Sequence, residues 1–106
     1  MRVKFINQWV VRVVMPTVQR EREEWLKWIR ETKYVIESKY RDLTDTVFYT
    51  FYRHLIHLEE MLTLTGITPS VFADMVLYLD AAMKTYLKHY DLPPMPQSLL
   101  EYARSV

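Results

Sequence analysis

The stretch Asp45–Gly66 reads DTVFYTFYRHLIHLEEMLTLTG, and its spacing decides the fold. Phe48, Phe51, Leu55, Leu58 and Leu62 recur in alternating steps of three and four. That spacing lines one face of an α-helix and packs it into a core. Thr44 or Asp45 is suited to cap the start, where a side-chain oxygen can accept from backbone N–H groups that lack intrahelical partners. Gly66 suits the left-handed position that ends a helix. The stretch therefore predicts a helix over about 45–65.

A second seam runs along the same helix. Thr50, His54, His57, Met61 and Leu64 also step by four and three, and Tyr49 and Ile56 stand on what should be its back. A helix apolar on most sides is either central in its fold or part of an interface. A chain of 106 residues has little room to enclose a helix fully. Tyr49, Thr50, His54, Ile56, His57, Met61 and Leu64 are thus the expected oligomer interface.

Reading outward, Thr68 caps a further helix with Pro69 at its first position. It is expected over about 69–90, with Phe72, Met75, Val76, Leu79, Met83, Tyr86 and Tyr90 facing inward. Leu92-Pro-Pro-Met-Pro96 cannot be helical and should run extended. A short last helix over about 97–104 docks Leu99, Leu100 and Ala103.

Toward the N-terminus, a helix over about 17–41 carries Val18, Trp25, Ile29, Ile36 and Leu43 in its seam, with Trp28, Thr32 and Tyr40 beside it. The first segment, about 3–15, is rich in Val, which favours strands. Strand alternation fails there, because Ile6, Val10 and Val14 would share a side with Lys4, Gln8 and Arg12. On a helical wheel Phe5, Ile6, Trp9, Val10, Val13 and Val14 form one broad apolar face. Pro16 then ends this helix, kinks it or opens the next. The expected fold is an all-α, single-domain, up-down helical bundle of about four helices plus a short C-terminal helix.

Composition bounds the function. With no cysteine, disulfides and thiolate metal sites are ruled out. A single glycine removes phosphate-cradling loops, and no G-x-S-x-G is present. Glu59 and Glu60 are adjacent, so they point about 100° apart on a helix, unlike a paired acid/base site. No enzyme activity, cofactor or small-molecule substrate is expected. His54, His57 and Glu60 lie at i, i+3, i+6, but they match neither H-E-x-x-H nor the E-x-x-H pairs of di-iron bundles. No metal is expected there.

There is no leader-like or membrane-spanning pattern, which places the expected location in the cytoplasm or inside a particle rather than outside the cell. Few glycines and amides lean toward a thermophilic source, against which stand six methionines. Residues 1–41 hold ten Lys/Arg and five Glu, and residues 42–106 hold four Lys/Arg and eight Asp/Glu. Halves of opposite sign can attract each other between molecules.

The expected function is a non-enzymatic structural, assembly or adaptor role through self-association or a protein partner. The alternative is nucleic-acid binding by Arg2, Lys4, Arg12, Arg20 and Lys27, which could meet phosphates. Against it, Arg20–Glu24, Glu23–Lys27, Lys27–Glu31, Lys33–Glu37 and Glu37–Arg41 are i, i+4 pairs that would neutralise the helix locally. Glu59–Val76 has the outline of a helix-turn-helix. Leu62 is large for its close crossing, however, and Asp74 near the second helix's start would repel phosphates. Residues 1–15 could also lie on a membrane surface, although packing as a bundle helix is the simpler account of them.

Overall fold

The computed structural model describes residues 2–40 and 45–106, and the side chains of residues 20–40 and 45–106. It is all-helical. Helix α1 spans Arg2–Lys39, α2 spans Thr46–Glu60 and continues as a π-helical turn over Met61–Thr65, α3 spans Pro69–Lys84, and α4 spans Gln97–Ser105.

The first two expected helices are one. α1 runs for 38 residues through Pro16 without a break. Proline there leaves one carbonyl without its intrahelical donor and crowds the preceding turn, at a cost of about 3 kcal/mol. A full break would leave four N–H and four C=O groups unpaired at the new ends and require a second helix nucleus. Continuation is the smaller loss. The expected seam residue Leu43 and cap residue Thr44 lie outside the described residues.

α2 begins as its sequence predicts. The Asp45 carboxylate accepts from the backbone N–H groups of Val47 (2.8 Å) and Phe48 (3.2 Å). Phe48, Phe51, Leu55 and Leu58 are buried along one face, and Leu62 extends it into the π turn. Gly66 closes the segment at φ +87° and ψ 160°, a region that residues with a Cβ rarely adopt. Pro69 then opens α3, although the Thr68 side chain makes no capping hydrogen bond.

α3 is shorter than expected. It ends at Lys84, and Tyr86, expected inside, is 74% exposed while Leu87 is buried. The Thr85 hydroxyl donates to the Ala81 carbonyl, and the Leu87 N–H reaches back to Ala82 at 2.8 Å. That wider turn swings Leu87 into the core in place of Tyr86. It also carries Tyr90 against Phe48 and Tyr40, with ring centroids 4.9 and 5.0 Å away.

One core joins the elements. Trp25, Trp28 and Ile29 of α1 meet the α2 seam, Phe72, Val76 and Leu79 of α3, and Leu99 and Ala103 of α4. α1 and α2 run antiparallel: Arg22 reaches Leu62, Lys33 reaches Glu59, and Tyr40 stacks on Phe48. The extended segment before α4 is pinned to α1. The Trp28 indole donates to the Pro93 carbonyl at 2.8 Å, and the Tyr40 hydroxyl accepts from the Asp91 N–H at 3.1 Å.

The molecule measures 57 × 21 × 21 Å, with a radius of gyration of 15.6 Å. A globule of this length would have one of about 13 Å. α1 sets the elongation, since 38 residues at 1.5 Å each reach about 57 Å.

Candidate functional site

α2 turns about 100° per residue, so its second seam does not stay on one side of the packed helix. The structure divides the seven expected interface residues among three directions.

His54 faces α3. Its ring lies 4.6 Å from that of Tyr78, and its Nδ1 donates to the Thr50 carbonyl at 2.9 Å. Burial, ahead of every other influence, lowers the His54 pKa from its ordinary value, because desolvation penalises the cation. The Thr50 carbonyl opposes that shift and nearby His57 adds to it. Met61 packs against the core from the same flank.

Ile56, half-buried, stands at the register between Tyr52 and Glu59, both of which engage α1. Glu59 binds two α1 cations: Lys33 at 2.7 Å and Arg30 at 2.9 Å. The hydrogen bond from Lys33, then that from Arg30, holds its carboxyl below the usual value. The Tyr52 hydroxyl donates to Glu37, which pushes the Tyr52 pKa up to about 12.

Tyr49 and Leu64 face outward, at 61% and 79% exposure. Arg53 lies over the Tyr49 ring at 5.9 Å and donates to its hydroxyl at 3.3 Å. Thr50 and His57 are half-buried. Two of the seven residues are therefore fully open. His54, Ile56 and Met61 are held in contacts or flanks within the fold.

The nucleic-acid candidates divide as well. Arg2, Lys4 and Arg12 have side chains outside the described residues. Arg20 and Lys27 are exposed on α1, and neither forms an ion pair with a described residue. The expected neutralisation along α1 is replaced by neutralisation across the fold. Among the described residues, Arg20–Glu24, Glu23–Lys27, Lys27–Glu31 and Lys33–Glu37 are not closed as ion pairs. Instead Lys33 and Arg30 go to Glu59, Lys39 to Asp91 at 3.3 Å, and Glu24 accepts from Ser98 at 2.9 Å. Arg41 lies outside the described residues.

Sequence spacing missed Glu59 as the joint between α1 and α2, because a cross-helix pair leaves no period in the chain. It also missed a shallow groove of about 520 Å³ between α1 and the extended segment, lined by Arg30, Glu31, Tyr34, Val35 and Pro93. No described group of three His, Asp or Glu residues is gathered as a metal site, and His54, His57 and Glu60 diverge along α2. Among the described residues, no helix is long and apolar enough to cross a membrane. Comparison with protein families, curated proteins and solved structures gives no match to this chain.

Proposed function

We propose that this chain is an assembly or adaptor component that acts by helix-mediated association, and that the part of α1 ahead of Arg20 is the element it offers. The observation that carries this reading is a mismatch of lengths. α1 is 38 residues long, while α2 and α3 have 15 and 16. The shorter helices reach only about 24 Å along a helix of about 57 Å. Their described contacts with α1, and those of α4, fall between Arg22 and Tyr40. We read that half of α1, with α2 and α3, as a short up-down bundle braced by α4.

The sequence ahead of Arg20 suits a helix that binds another helix. Phe5, Ile6, Trp9, Val10, Val13 and Val14 fall on one face at helical spacing, with Asn7, Gln8 and Arg12 opposite. An apolar stripe of this size is covered in stable assemblies, and two packed helices cover each other by interdigitating such stripes.

A photo-crosslinking residue at Val13, in the full chain expressed in cells, tests the reading. It predicts adducts to a second polypeptide from Val13 and none from a control at the exposed Lys88. No adduct at Val10, Val13 or Val14 overturns it.

The exposed Arg20 and Lys27 favour nucleic-acid binding as a second reading. It predicts affinity for duplex DNA or single-stranded RNA that falls steeply with salt. Unchanged anisotropy of both labelled probes at low salt removes it.

A further inference from the structure

We infer that the partner of the α1 arm is a second copy of this chain, laid antiparallel to the first. The inference rests on the association reading above and adds the identity and direction of the partner.

The charges along α1 supply the direction. Arg2 and Lys4 stand at its tip. Glu21, Glu23 and Glu24 stand where the arm joins the body, with Glu23 and Glu24 exposed and Glu21 half-buried. No acidic residue precedes Glu21. An antiparallel pair with its two-fold axis between Arg12 and Val13 sets Arg2 level with Glu23 of the other copy. In the same register Lys4 is level with Glu21.

Each end of the pair then joins cations to carboxylates, and the two-fold axis repeats the match. A parallel pair would set Arg2 beside Arg2, Lys4 beside Lys4 and Glu23 beside Glu23. Arg12, near the axis, occupies the wheel position opposite the apolar stripe, so its charge does not enter the seam. Val10, Val13 and Val14 of both copies meet at the centre. The arms overlap over about 20 residues, or about 30 Å.

A helix pair of this kind also requires α1 to continue through Pro16. A break there would leave each arm about 14 residues long, at the margin for a helix in water.

The test uses the full chain. Sedimentation equilibrium between about 1 and 100 µM, at low and at high salt, should show a monomer–dimer equilibrium that weakens with salt. A spin label at Val3→Cys, the only cysteine in the chain, should then report a tip-to-tip distance of about 30 Å in the dimer. The pair E21K/E23K should weaken the dimer about tenfold at low salt, and adding R2E/K4E should restore it.

A dimer with labels closer than about 20 Å is parallel and overturns the inference. So does a dimer that E21K/E23K leaves unchanged. A monomer at every concentration overturns it too. In that case the crosslink from Val13 still decides the association reading: adducts to other polypeptides keep it, and their absence ends both.

Discussion

The indole N–H of Trp28, near the centre of the packed half of α1, donates to the carbonyl of Pro93 at 2.8 Å, 65 residues further along the chain. That bond, with Tyr40 holding the Asp91 N–H, ties the extended segment to α1 and thereby sets α4 over Trp25. Trp28→Phe keeps most of the apolar burial and removes the donor. Thermal or urea unfolding should show a loss of about 1–3 kcal/mol. An unchanged midpoint would mean that the segment is held by packing alone.

The two seams of α2 should differ sharply in cost. Phe51 is fully buried and Leu64 is 79% exposed. Phe51→Ala should lose about 3–5 kcal/mol and Leu64→Ala less than about 0.5 kcal/mol. A large loss at Leu64 would contradict its outward placement.

This contrast shows where sequence spacing suffices. A run such as Phe48, Phe51, Leu55, Leu58 and Leu62 is strongly periodic, so its face can be read directly. The Asp45 cap, the glycine end at Gly66 and the docking of Leu99, Leu100 and Ala103 are equally local in cause. The second seam misleads, because Thr50, His54, His57, Met61 and Leu64 share a spacing but meet different neighbours. Which neighbour each meets depends on where α1 and α3 lie. The continuity through Pro16 is also hidden, since it depends on comparing one lost hydrogen bond with two new helix ends. Glu59 carries no signal as a joint, since its partners Lys33 and Arg30 sit on another helix.

Glu59 should set part of the acid response. Its folded-state pKa lies below 4.5, so its contribution is present above that value and is lost as pH falls through the folded value. Because the site is partly exposed, the effect is modest. Glu59→Gln should slightly lower stability at pH 7 and flatten the loss between about pH 5 and 3. Urea midpoints across that range would show it, and parallel curves for the two proteins would contradict it.

His54 should act at milder acidity. Its pKa is depressed, chiefly by burial, so the neutral ring stabilises the fold above 6.5 and that stability falls away as pH drops below it. His54→Phe, which retains a ring against Tyr78, should reduce the decline between about pH 6.5 and 5. An NMR titration of His54 giving a midpoint at or above 6.5 would contradict this.

Gly66 turns the chain between α2 and α3 at φ +87°, and no neighbouring atom lies within 4 Å of where a Cβ would sit. Gly66→Ala should therefore cost about 1–3 kcal/mol through backbone strain rather than collision. An unchanged melting temperature would show that the turn can adopt another path.

The central claim is that α1 is one helix whose first half extends beyond the body. Because the chain has no cysteine, spin labels can be placed uniquely at K4C and K39C, with the protein diluted in unlabelled chain so that only distances within one molecule are read. A continuous helix places the two positions 35 residues apart, a separation of about 52 Å. A narrow distribution near that value is the predicted result. A main distance below about 35 Å would mean that the chain folds back at Pro16, and the account of α1 as an associating arm would be wrong.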